Sequence, residues 1–255
     1  MFIQNKNSVQ VTNLDQWQSC VRQEHWVIGH SAYEFARRWC AILPQIPNEL
    51  SALFGSHELT RSFAAELGII ECCTAFDPFP GQVRNHDMVI HGRDRDPRVR
   101  MQTTVGIEAK AAETFGEVVH KYYQQRDQGN VRKRLQLLSV SLYGKPIDDL
   151  IGGLRYQLLH ALGATLAEAK NGGSQLAVFV AWEVGNPQNR QDDRQNNHKD
   201  FAAFVRSFPG MHDADVETGR LYGPFTVPGG PWIPGSLPVL IGKVSSPLYD
   251  LVCAS

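Results

Sequence analysis

The chain has 255 residues, 42% of them apolar and 20% charged, with 22 Gly and 14 Pro. That length suits one large domain or two small ones, and the mixture excludes a disordered, collagen-like or coiled-coil protein. Lys plus Arg total 25 against 26 Asp plus Glu, a formal net charge of −1, so no global basic field recruits nucleic acid and any polyanion site must be a local cluster.

Five cysteines (Cys20, Cys40, Cys72, Cys73 and Cys253) are odd in number, scattered and free of any C-x-x-C pair. They read as reduced thiols of a cytoplasmic protein, not as a disulfide framework or a zinc site. The opening residues Met1–Ser8 lack the apolar stretch of a secretory signal. The longest apolar run, Leu176–Trp182, falls far short of the ~20 residues that cross a bilayer. The expectation is a soluble intracellular protein that engages no membrane.

In chain order, residues 1–55 read as a helical lead-in. Ser31-Ala32-Tyr33-Glu34 has the form of a capping box, Phe35, Trp39 and Ile42 continue at helical spacing, and Pro44 stops the helix. Leu59, Phe63 and Leu67 predict a second helix over His57–Leu67, closed by Gly68. Ile69–Phe76 is rich in strand formers and runs into the Asp77-Pro78-Phe79-Pro80-Gly81 turn. Alternation then predicts two strands, His86–His91 and Met101–Lys110, joined by Gly92–Pro97. Helices follow at about Phe115–Arg126 and Val131–Leu142. The longest helix, Leu154–Lys170, carries Gly163, Ala164 and Ala167 for close packing on a sheet, and ends at Asn171-Gly172-Gly173. Gln175–Val184 has the unbroken apolar character of a central strand buried on both faces. Asn186–Lys199 reads as a mobile polar loop, followed by a helix near Asp200–Arg206, a Pro/Gly-rich passage Gly223–Pro238 and a strand Pro238–Val244. The whole is an α/β protein built on one mixed sheet, a single domain over 1–255. Its parts are the helical lead-in 1–55, a core 56–185 and a loop-rich extension 186–255.

The chemistry concentrates in Asn85-His86-Asp87-Met88-Val89-Ile90 and Val105-Gly106-Ile107-Glu108-Ala109-Lys110. Side chains alternate along a strand, so Glu108 and Lys110 share a face. If the two strands pair antiparallel, Asp87, Glu108 and Lys110 converge at one end of the sheet. Two converging carboxylates repel unless a proton or cation sits between them, and with water they suit Mg²⁺ or Mn²⁺, which take hard oxygen ligands. Such an ion polarises a phosphoryl oxygen and activates water, while a nearby ammonium stabilises charge developing on phosphorus. Glu108 and Lys110 also read as an ordinary same-face ion pair.

These residues resemble the PD-(D/E)XK superfamily of restriction-endonuclease-like phosphodiesterases, and within it an uncharacterised bacterial family built on a domain of unknown function. The resemblance rests on His30-Ser31-Ala32, His86-Asp87, Ile107-Glu108-Ala109-Lys110, Glu113-Thr114-Phe115-Gly116 and Leu154-Arg155-Tyr156-Gln157-Leu158-Leu159-His160, and spans most of residues 26–184. His86 stands where the superfamily often has proline. The resemblance implies an αβββαβ core with a mixed central sheet flanked by helices, Asp87 and Glu108 as metal ligands, Lys110 as the catalytic lysine and Gln157 as a supporting polar residue.

Other residues carry paired readings. Arg155 and His160 either support the site or form a buried polar cluster. Glu66 and Glu71 are candidate extra carboxylates. Glu113 and Glu117 read as charges favoured before a helix, with a further metal contact as the other reading. Lys121, Arg126, Arg132, Lys133 and Arg134, near Lys145, form the one basic concentration, either a solvated face or a phosphate track. The histidines show no zinc spacing, and no Walker A loop or G-x-S-x-G elbow is present. The functional expectation is a Mg²⁺-dependent nuclease for DNA or RNA. The alternative is an inert nuclease-like fold that binds nucleic acid or protein. Nucleic acid is the expected partner, with a homodimer left open.

Overall fold

A computed structural model describes residues 1–80, 84–111, 113–125, 130–184 and 191–246. Its centre is an antiparallel meander of β2 (Phe63–Thr74), β3 (Arg84–Asp94) and β4 (Gln102–Lys110). A helical crossover leads from β4 to β5 (Leu176–Glu183), which lies parallel to it. β7 (Val239–Ser245) adds parallel to β5, and β6 (Leu221–Phe225) closes that edge antiparallel. At the other edge β1 (Phe2–Asn5) runs parallel to β2. The described residues thus form an α/β structure with a mixed seven-stranded sheet of order β1-β2-β3-β4-β5-β7-β6, flanked by helices.

The alternation of each strand decides which layer it feeds. On one face Met88, Ile90, Val105, Ile107, Val178, Val180 and Trp182 pack under α1 (Leu14–Gln18), α2 (Ser31–Cys40) and α3 (Asn48–Gly55). Phe35 and Trp39 of α2 meet Trp182 edge-on at centroid distances of 5.3 and 6.0 Å, the geometry aromatic quadrupoles prefer. On the other face Ala177, Phe179, Ala181, Val239 and Ile241 pack against α5 (Asn130–Tyr143), α7 (Tyr156–Asn171) and α8 (Gln191–Arg206). The remaining helices, α4 (Val119–Gln125) and α6 (Asp149–Gly152), lie with α5 and α7. β5 is buried along its whole length, as its apolar run predicts, because it has strand neighbours on both sides and helices on both faces.

Three expectations are corrected. Residues 57–67 are not a helix. A short turn follows α3, and Phe63 opens the twelve-residue strand β2. The helical spacing of Leu59, Phe63 and Leu67 is overridden by pairing with β1 and β3, a tertiary gain that outweighs propensity. Residues 191–199 are not a loop but the first half of α8; residues 186–190 lie outside the described residues. Ser31 is no capping box. His30 is the N-cap of α2, and Glu34 Oε1 accepts from the Gly29 N–H at 3.1 Å while its other oxygen pairs with Arg37. The strand β6 crosses into the Pro/Gly-rich passage, for which no element was expected. Cys20, Cys40, Cys72 and Cys73 are free thiols, and Cys253 lies outside the described residues. Among the described residues no helix is long and apolar enough to cross a membrane.

Gly106 of β4 faces α7 so closely that a Cβ there would collide with Thr165 Oγ1. That hydroxyl donates to the Ala161 carbonyl at 2.8 Å and cannot swing away freely. Gly106→Ala should therefore lower unfolding free energy by roughly 1–3 kcal/mol, the usual cost of overpacking. Adding Thr165→Ala should recover part of the loss. Urea titration of the four proteins in the cycle checks this, and strict additivity would show that the two residues do not collide.

Candidate active site

The pairing of β3 with β4 places the carboxylates. Met88 lies opposite Ile107, so one step further along the same register brings Asp87 opposite Glu108. Residues directly opposite across an antiparallel pair have Cβ atoms about 5 Å apart on one face. Asp87 is fixed by the Ala109 N–H, which donates to its Oδ2 at 2.7 Å. Glu108 Oε1 lies 2.7 Å from Lys110 Nζ, with side-chain exposures of only 3% and 10%. All three residues line one cavity of about 890 Å³, with Gln157 and His160 of α7 on its wall.

Gln157 sits in the first turn of α7, and its Oε1 is buried without a hydrogen-bond partner. His160 is buried between the rings of Phe76 and Tyr156, at 4.8 and 4.9 Å. Glu71 falls between the pairs Ile70↔Met88 and Cys72↔His86, hence across from Asp87. Its backbone is left-handed (φ 50°), and Asn85 Nδ2 donates to its carboxylate. It too lines the cavity.

Of the other candidates, Arg134 also lines the cavity, whereas Glu66, Arg155, Lys121, Arg132 and Lys133 do not. Glu66 pairs with Arg93 at 2.7 Å, at the far end of the hairpin. Arg155, the N-cap of α7, donates to Asp200 of α8 and to the Gly116 carbonyl, both at 2.8 Å; it straps the loop after β4 instead of facing the carboxylates. Among the described residues, three of the basic candidates have partners of their own. Lys121 pairs with Glu117 at 2.8 Å, and Arg132 stacks over the Tyr123 ring at 4.7 Å. Arg134 is buried against Asp77, whose carboxylate raises its pKa further. Lys133 is exposed, and Arg126 lies outside the described residues.

Glu113 was expected to serve a helix N-terminus. It stands instead in the loop after β4, ahead of α4, and its carboxylate ties three segments together. The Ser31 N–H donates to Oε1 at 3.0 Å and the Ala111 N–H to Oε2 at 2.9 Å. Ser31 Oγ lies 3.3 Å and His30 Nδ1 3.2 Å from Oε1. Burial disfavours the charged form, but these N–H donors and the Lys110 charge outweigh it and hold the pKa below the ordinary value. Its carbonyl accepts from Asn197 of α8 at 3.0 Å. No helix pattern in the sequence signals this role; the resemblance-bearing segments His30-Ser31-Ala32 and Glu113–Gly116 are the segments that meet.

The donor set fits a hard divalent cation. Asp87 and Glu108 offer carboxylate oxygens, and Gln157 an unsatisfied amide oxygen, on one cavity that Cys20 and Cys73 also line. Among the described residues no group of three or more His, Cys, Asp or Glu side chains is placed to hold a metal ion.

Residues 10–247 match a family model described as Domain of unknown function (DUF6946). The chain belongs to that family. No curated protein and no solved structure matches it.

The depressed pKa of Glu113 gives a stability prediction. Its contribution is present above the ordinary carboxylate value of 4.5 and is lost as pH falls through the lower folded-state value. Glu113→Gln should cost roughly 1–3 kcal/mol at pH 7, the scale of charge-assisted hydrogen bonds. The gap to wild type should narrow in acid. Urea titrations at pH 7 and pH 3 measure it; a gap independent of pH would show that the charge is not what Ser31 and Ala111 recognise.

Proposed function

We propose that this protein is a metal-dependent phosphodiesterase acting on DNA or RNA, with a restriction-endonuclease-like core of the PD-(D/E)XK type. The observation that carries the reading is the convergence of Asp87, Glu108, Lys110 and Gln157, from three separate elements, on one cavity. The element order α3-β2-β3-β4-α4-α5-α6-α7-β5, an antiparallel meander followed by a helical crossover to a parallel strand, supports the same reading.

Asp87 and Glu108 would hold Mg²⁺ or Mn²⁺, with Gln157 as an oxygen donor on the same wall. When bound, the ion supplies Lewis-acid polarisation of a phosphoryl oxygen and a more acidic water. The Ala109 N–H keeps the Asp87 carboxylate in place. Lys110 stays beside the carboxylates because Glu108 holds its ammonium within the cavity. There it orients the attacking water and stabilises charge that appears only in the pentacovalent transition state. A near-neutral net charge gives little global electrostatic pull on a phosphate backbone, so the reading relies on local contacts at the cavity.

One observation favours the alternative. Glu108 and Lys110 form a largely buried ion pair with each other, as an inert nuclease-like module that binds nucleic acid or protein would also show.

Lys110→Ala separates the two readings. In the enzyme it should lower turnover on a panel of single- and double-stranded DNA and RNA with Mn²⁺ about 10²–10³-fold, with KM little changed. Cleavage that the variant reproduces in full would come from a contaminant and remove support for the reading. Calorimetric titration with Mn²⁺ addresses the ligands: wild type should bind, and Asp87→Ala should lose that binding. Equal binding by both would remove Asp87 from the metal site.

A further inference from the structure

We propose that His30, held by Glu113, donates the proton to the departing oxygen of the phosphodiester, a role that rests on the phosphodiesterase reading above. His30 occupies the N-cap of α2 but makes no side-chain capping bond, so its ring is not committed to the helix. The side chain is about half exposed (55%) and lines the same cavity as Asp87, Glu108 and Lys110. Nδ1 lies 3.2 Å from Glu113 Oε1, a contact that fixes the ring and leaves Nε2 for a substrate.

Glu113 is itself anchored. The Ser31 and Ala111 N–H groups hold its two oxygens, and Ala111 is the residue after Lys110. One carboxylate therefore ties the imidazole to the strand end that carries the lysine, so the two stay at a fixed separation across the cavity. A carboxylate-oriented imidazole of this kind is a recurrent proton carrier. His160, a second imidazole on the wall, is enclosed by Phe76 and Tyr156 instead.

The step balances without any further reagent. A water oxygen bonds to phosphorus while the bond from phosphorus to the departing nucleoside oxygen breaks. That oxygen takes the Nε2 proton, the attacking water releases its proton to solvent, and His30 regains one from solvent. An alkoxide leaves poorly without such a proton, whereas p-nitrophenolate leaves well unaided. The contribution of the donor therefore depends on the leaving group.

The test compares wild type with His30→Gln in the presence of Mn²⁺ on an oligonucleotide and on bis(p-nitrophenyl) phosphate, with melting temperature as the folding control. The expected result is a loss of about 100-fold or more in turnover on the oligonucleotide, the scale of general acid catalysis. Turnover on the activated ester and the melting temperature should stay nearly unchanged. Equal losses on both substrates, or no loss on either, would overturn the role of His30 while the phosphodiesterase reading stands. Wild-type protein that hydrolyses neither substrate would overturn that reading, and this role with it.

Discussion

The site depends on one constraint, the register of β3 on β4. A slip of one residue exchanges the two faces of a strand, which would turn Asp87 and Glu108 away from each other and drive a carboxylate toward Trp182. The fold prevents this from both sides. Met88, Ile90, Val105 and Ile107 must meet the layer of Phe35 and Trp39, and Gly106 must face Thr165, where a side chain would not fit. A buried, unpaired charge costs several kcal/mol, so the correct register is favoured by the charged residues as well as by the apolar ones. Packing and site geometry are thus the same restraint.

That dependence explains which parts of the structure were legible in the sequence. The hairpin could be read because alternation marks both strands, although β3 runs on through Gly92, Arg93 and Asp94, which the sequence placed in the connection, and the turn is confined to residues 95–101. β5 and α7 could be read because a fully buried strand and a helix with small residues have distinctive compositions. Elements whose conformation is decided by distant partners could not. Phe63–Thr74 begins with Ala-Ala-Glu-Leu, good helix formers, and becomes a strand only because β1 and β3 flank it. β1 has four residues and offers no usable pattern. The polar start of α8 resembles a loop, and its anchors, Asp200 to Arg155 and Asn197 to Glu113, are contacts over long sequence distances.

The candidate site was legible in the same uneven way. Asp87, Glu108 and Lys110 lie on neighbouring strands, where period-2 geometry is enough to bring them together. Gln157 came from the resemblance, and the structure puts it on the shared cavity. The grouping of Glu113 with His30 and Ser31 had no local signal, because the partners are 82 residues apart for Ser31 and meet only once α2 is laid across the end of β4. Proximity in sequence said little about the contacts of the basic cluster. Arg132 and Arg134 are close in sequence, yet each is turned to its own partner, an aromatic ring or a buried aspartate.

A second buried pair sharpens the meaning of the first. Lys243 Nζ lies 2.8 Å from Glu183 Oε2, both side chains almost fully enclosed. By register Lys110 stands beside Glu183, and Glu108 lines up with Ala181 and Lys243. Alternation puts all four charges on the α7 side of the sheet, at the carboxyl ends of three parallel strands. Buried pairs of this kind seldom stabilise a fold relative to apolar residues of similar size, whereas losing one partner costs about 3–5 kcal/mol. Their presence in the best-packed part of the sheet therefore calls for a reason other than stability. Charges of alternating sign lower the cost of each: Glu183 lies between Lys110 and Lys243 of the two adjacent strands, and Lys110 in turn pairs with Glu108 on its own strand. Glu183 and Lys243 thus make a low-polarity interior able to carry Glu108 and Lys110, and it is the Glu108–Lys110 pair that opens onto the cavity.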